Sequence, residues 1–202
     1  MWKDWKLDLI HTVAIVALAL FWFPILSSCA HSIYITDNGQ PIKQCMPTLV
    51  GISDDTPGKF HAPIVNAISY WEEATGVDGI FVYAGVVPFT IDSNYINGIV
   101  GIGVVSELKS SKPNTHPCGR TYIAWDSHNC IVKAKIRLNL ECSGNMDEFQ
   151  TVIRHEIGHV LGLDDSVDFT ALMSHALEPT MQHPVDANEE EIRAVKALYK
   201  LK

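Results

Sequence analysis

The sequence predicts an α+β fold, and three observations predict it. Residues 132–140 alternate strictly, with Val132, Ala134, Ile136, Leu138 and Leu140 on one face and Lys133, Lys135, Arg137 and Asn139 on the other; that period of two marks a strand buried on one side. Residues 60–75, 149–157 and 192–199 instead place apolar residues three and four apart, the spacing of helices that bury one stripe. Asn145 and Asn188 each precede a glutamate by three positions, which is the sequence pattern of a helix start.

The elements follow in order. After a polar leader at 31–44, residues 48–53 form a short β-compatible run. Ile64, Val65, Ile68 and Trp71 give the first helix its apolar stripe, and Gly76 stops it. Two further strands are expected at 79–84 and 98–105, separated by a loop at 88–95. Gly98, Gly101 and Gly103 read as strand glycines that permit close backbone approach, since neither a helix start nor a lysine follows to make a phosphate loop. A strand at 120–125 leads through the turn 126–129 into the alternating strand 132–140, whose basic side reads as a solvated face. Phe149, Val152, Ile153 and Ile157 anchor the next helix to the sheet. The last helix carries acids at its start and Lys196, Lys200 and Lys202 at its end, complementing the helix dipole.

The chemistry concentrates in the run from His155 to Asp165. Residues 155 and 159 are four apart, so on a helix turning about 100° per residue their imidazoles project from one face and can chelate one zinc ion. Glu156 is rotated off that line, too far round to be a ligand and well placed to act as a general base. Gly162 can end the helix in a left-handed conformation and bring residues 163–165 back beneath the histidines, which puts Asp165 where a third ligand is expected. Met173 follows in Ala171-Leu172-Met173.

This run resembles the metzincin metalloproteases, whose signature is H-E-x-x-H-x-x-G-x-x-H followed by a methionine turn, and it is most similar to the matrix-metalloprotease, or matrixin, branch. Asp165 stands where most of that family has a third histidine; some bacterial metzincins carry aspartate there. The segment 68–75 also looks like the first helix of a matrixin catalytic domain. The resemblance implies a twisted, mixed five-stranded sheet packed on two long helices, then a methionine turn and a closing helix. It implies zinc held by His155, His159 and Asp165, Glu156 as catalytic base, and Met173 packed under the ligands. It further implies peptide substrates bound extended along an edge strand, for which 120–125 is the candidate, with residues 174–182 walling a side-chain pocket. His175 and His183 read as loop or surface histidines. Structural calcium is possible in such a family, but no motif here indicates it. A monomer is expected.

The length of 202 residues suits one domain with a sizeable core, and the net charge of -8 argues against nucleic acid or an anionic membrane as partner. Residues 10–26 are almost all apolar, follow Lys3 and Lys6, and precede Leu26-Ser27-Ser28-Cys29-Ala30. That layout makes 1–30 a signal segment and 31–202 the catalytic domain. Three treatments fit, in order of preference: lipoprotein processing at Cys29, cleavage after Ala30, or retention as an uncleaved anchor. All place the domain outside the cytoplasm, with membrane contact only through this segment. No inhibitory segment is recognised ahead of the first strand, so export in active form, or restraint by a separate inhibitor, is expected. Of five cysteines, Cys45, Cys118, Cys130 and Cys142 remain once Cys29 is set aside, which suggests two disulfides in one of three pairings. Pro117-Cys118-Gly119 faintly resembles the family's inhibitory cysteine motif, but its position inside the domain favours a disulfide. Two rival functions stand beside the peptidase: a non-catalytic, zinc-stabilised surface binding module, and a zinc hydrolase of non-peptide amides.

Overall fold

A computed structural model describes residues 33–36, 38–45, 47–91, 98–109, 117–142, 145–175 and 184–200. The signal segment 1–30 and Cys29 lie outside the described residues. Among those described, no helix is long and apolar enough to cross a membrane.

The chain runs β1 (Thr48–Ser53), α1 (His61–Thr75), β2 (Phe81–Val87), β3 (Ile99–Val105), β4 (Gly119–Trp125), β5 (Ile131–Asn139), α2 (Met146–Leu161) and α3 (Glu189–Tyr199), with short 3-10 turns at Gly58–Phe60 and Leu140–Cys142. The strands form one sheet in the order β2-β1-β3-β5-β4. The first four of that order are parallel neighbours, and β4 alone runs antiparallel, against β5. The expected five-stranded mixed sheet, two long helices and closing helix are all present.

The core lies where the two long helices meet the sheet. Ile64, Ile68 and Trp71 of α1 and Phe149, Ile153, Ile157 and Val160 of α2 are buried with Ile52, Ile102, Ile136 and Leu138 of the strands. The helices are also joined to each other: the Trp71 indole N–H donates to the Arg154 carbonyl at 2.8 Å, and the rings of Phe60 and Phe149 stack 4.6 Å apart. Removing a side chain such as Ile153 from this packing costs several kcal/mol, of order 2–5, because the gap does not close.

Four expectations need correction. The alternation at 132–140 is interrupted at both ends: the register slips between Ala124 and Trp125, so Ile131 turns into the core while Val132 becomes exposed, and at the far end Asn139 is buried while Leu140 leaves the strand for a 3-10 turn and is exposed. A bulge adds one residue to one strand, and beyond it the faces exchange. The second strand begins and ends later than expected, because Gly79 has positive φ and belongs to the turn before it. The supposed polar leader is folded. Residues 33–36 and 38–42 make the two arms of a ribbon, with Ile35 bridged to Pro41 and Ile42 buried. The Tyr34 N–H donates to the Gly162 carbonyl at 2.8 Å, and Lys43 bridges to Cys130, so the ribbon spans from the end of α2 to the β4–β5 turn. The strand glycines behave as expected at Gly101 and Gly103, where a Cβ would meet Phe89 at 3.0 Å and Ile91 at 2.7 Å, but Gly98 lies in the turn before β3 with positive φ and open space around it. Both disulfides form, pairing Cys45 with Cys130 and Cys118 with Cys142.

Candidate metal centre

Helix α2 starts where Asn145 accepts the Asp147 N–H at 2.9 Å, and it ends at Gly162, whose φ of 105° only glycine adopts without strain. The full reciprocal capping box closes at α3, between Asn188 and Glu191. One turn of α2 separates His155 from His159, and the reversal at Gly162 returns the chain so that Asp165 meets both. Its Oδ1 lies 3.4 Å from His155 Nε2 and 3.6 Å from His159 Nε2. Both histidines are buried, whereas the Asp165 side chain is 53% exposed.

This cluster fits zinc on two counts. Donors about 2.0–2.1 Å from a tetrahedral ion stand roughly 3.3–3.5 Å from one another, and the nitrogen–oxygen separations of 3.4 and 3.6 Å lie close to that spacing. The imidazoles also carry their protons on the other nitrogen. His155 Nδ1 donates to the Leu172 carbonyl and His159 Nδ1 to the Leu163 carbonyl, each at 2.9 Å. A carbonyl can only accept, so both Nε2 atoms keep a lone pair for a metal. Among the described residues, His155, His159 and Asp165 are the set of three able to hold an ion.

The electrostatics follow from burial and these contacts. Burial opposes a charged His155, yet the adjacent Asp165 and Glu156 carboxylates outweigh that and raise its pKa. Burial pushes His159 down to about 4, with the neighbouring His155 charge adding to the effect. The His155 contact holds the Asp165 carboxyl below its usual range despite partial burial. Burial raises Glu156, against the opposing influence of His155 and Thr121.

Glu156 is buried beside the cluster, and its setting comes from β4. The Thr121 hydroxyl donates to Glu156 Oε2 at 2.6 Å, while the other carboxylate oxygen lies over Gly119 so closely that any Cβ there would collide with it. Met173 is fully buried, and its sulfur sits against Gly158 with no space for a larger residue. The methionine turn is closed by the Ser166 N–H donating to the Met173 carbonyl at 2.6 Å. His175 is an exposed loop residue bonded to the Ser166 carbonyl. Of the expected pocket wall at 174–182, residues past His175 lie outside the described residues, as does His183.

Four contributors were not expected from the sequence. Thr121 and Gly119 shape the Glu156 site from an element far off in sequence. The Tyr34 hydroxyl lies 3.1 Å from His159 Nδ1, and burial, joined by the charges of Asp164 and Asp165, raises its pKa. Glu191 of α3 is buried, and its carboxylate accepts the N–H groups of Met173 at 2.6 Å, Asn188 at 2.7 Å and Leu172 at 3.3 Å.

The matrixin family model matches residues 64–200, well over half of the chain. No curated protein matches. Among solved structures, the chain is similar to high choriolytic enzyme 1, a hatching enzyme zinc-protease from Oryzias latipes (medaka fish), at 16% identity and a TM-score of 0.42, over 88% of this chain and 97% of that one.

Proposed function

Because the chain belongs to the matrixin family, and with it to the zinc metalloendopeptidases, we propose that His155, His159 and Asp165 hold its zinc ion and that Glu156 moves the proton in peptide hydrolysis. The observation that carries this reading is the pairing of a three-donor cluster with a separate buried carboxylate beside it. A metal-binding module without catalysis has no use for that second group.

Zinc, when bound, supplies a Lewis acid that acidifies water and offsets negative charge developing on the carbonyl oxygen. Glu156 accepts a proton from the water as it adds to the peptide carbonyl, then returns it to the leaving amine nitrogen. Burial raises its affinity for that proton, which suits the return step. Thr121 fixes one carboxylate oxygen and leaves the oxygen over Gly119 for proton transfer. His155 and His159 are held in the tautomer that presents Nε2 by the Leu172 and Leu163 carbonyls.

The substrate lies extended along the free edge of β4, whose other edge is paired to β5. Main-chain hydrogen bonds then supply affinity regardless of sequence, and side-chain subsites supply preference. The two disulfides support a working place outside the cytoplasm, with residues 1–30 as the export segment.

The test pairs zinc analysis with peptide cleavage in native protein and Glu156→Ala. The variant should keep its zinc and lose at least about 100-fold in kcat/KM. Cleavage that survives the substitution removes Glu156 from the mechanism; zinc-loaded native protein that cleaves no peptide restores the binding-module reading.

A further inference from the structure

Strand β4 does not end at the candidate metal centre. Its last part, with Ile123 and Trp125, lines a groove of about 620 Å³ that Tyr34, Ile35 and Ile42 of the N-terminal ribbon also line. Ile35 is 52% exposed and Trp125 48% exposed, so two large apolar side chains sit in solvent within one concavity. Thr36, Asn38, Asp126, Ser127 and Asn129 supply the polar part of the lining. Apolar side chains with polar groups beside them make a site for an apolar side chain on a peptide backbone.

We propose that this groove is a substrate subsite, filled by a large apolar side chain (leucine, isoleucine, methionine or phenylalanine) two to four residues from the scissile bond. The assignment rests on the peptidase reading above and adds to it. Three observations carry it. First, the groove lies further along the same strand: Thr121 contacts Glu156, and a peptide paired along β4 advances roughly 3.3 Å per residue, so its second to fourth residue beyond Thr121 passes Ile123 and Trp125. Second, Tyr34 belongs to both places, since it lines the groove while its hydroxyl sits 3.1 Å from His159 Nδ1. Third, the ribbon wall is fixed at both ends, with Ile33 bridged to Leu163 and Lys43 to Cys130, so the groove is held open between it and β4.

Burial of a leucine-sized side chain is enough to favour one peptide over another by about tenfold or more. The test uses zinc-loaded protein and fluorogenic octapeptides with identical residues flanking the cleaved bond, carrying leucine or serine at one position two, three or four residues away on either side. The native protein should prefer leucine over serine by about tenfold or more in kcat/KM at one of these positions and on one side. In Ile35→Thr and Trp125→Thr, that ratio should fall toward one. Val82→Thr, on the opposite edge strand, should leave the ratio as in the native protein. A native ratio near one at every position overturns the subsite.

A failure of the peptidase reading is separable, because binding is read without turnover. Added to Glu156→Ala protein, the leucine peptide should change tryptophan emission and bind about tenfold tighter than its serine counterpart, and the change should vanish in a Glu156→Ala, Trp125→Phe double variant. If no peptide is cleaved but this signal appears, the groove stands as a peptide site and the peptidase reading falls. Equal binding of both peptides overturns the groove whatever the cleavage assay reads.

Discussion

In the proposed zinc site Asp165 makes the donor set unusual, for a carboxylate would complete a pair of imidazoles and bring negative charge to the ion. It is also the half-exposed member of the set, while both histidines are buried and locked by carbonyls. Loss of zinc should therefore begin at Asp165. Asp165→Ala should weaken zinc by more than the 10–100-fold that follows removal of a supporting partner, measured by competition with a chelator, whereas Asp165→His should keep the metal. The histidines and Glu156 are legible in the sequence because helix geometry fixes their relation within one turn. Thr121 was not, because its contact with Glu156 spans 35 positions and depends on which strand lies over α2. Its hydrogen bond reaches a carboxylate, a class worth about 1.5–3 kcal/mol. Thr121→Val should thus lower kcat by roughly tenfold or more with zinc content unchanged, and Thr121→Ser should restore it. Equal rates in all three proteins would show that Glu156 needs no such holder.

The closing helix does more than cover the core. Glu191 completes the capping box of α3, and the same carboxylate reaches the backbone of the methionine turn at Leu172 and Met173. The Leu172 carbonyl in turn receives the Nδ1 proton of His155. Helix start, turn and ligand are therefore one hydrogen-bonded series. From the sequence the cap alone was readable, since Asn188 and Glu191 are three apart, whereas the reach to residue 173 crosses 18 positions. Glu191→Ala would leave buried N–H groups without an acceptor, at about 1–3 kcal/mol for each group left unsatisfied. The expected result is a stability loss of about 3 kcal/mol in urea unfolding, together with weaker zinc binding as His155 loses its fixed orientation. Arg193→Ala, an exposed change on the same helix, should alter neither. If Glu191→Ala destabilises the fold but binds zinc as the native protein does, the turn holds His155 without help from α3.

Across the whole molecule, local patterns gave every helix and strand, while the features that join them needed the fold. The N-terminal ribbon is the instructive case: Asn38-Gly39 between isoleucines at 33, 35 and 42 is a hairpin signal, masked in the sequence by the polar residues around it. The slip at Ala124/Trp125 has no such signature, because strict alternation in 132–140 contains nothing that tells which partner residue is doubled. The disulfides show the same division. Oxidation was readable from an even set of cysteines, but the pairing depends on the ribbon meeting the β4–β5 turn. Cys45–Cys130 spans 85 positions and ties the ribbon to that turn, whereas Cys118–Cys142 spans 24 and secures the start of β4 beside Gly119. In the chain-entropy account, longer loops are stabilised more, about 4–5 kcal/mol for the first bridge and about 3–3.5 for the second. The double variant Cys45→Ser, Cys130→Ser should therefore be the less stable in urea. Function should divide the other way: loosening the ribbon should erase the leucine preference before it affects zinc, while loosening the start of β4 should lower kcat through Gly119 and Thr121. Loss of the leucine preference in both double variants, or in neither, would separate the ribbon from the groove it is proposed to wall.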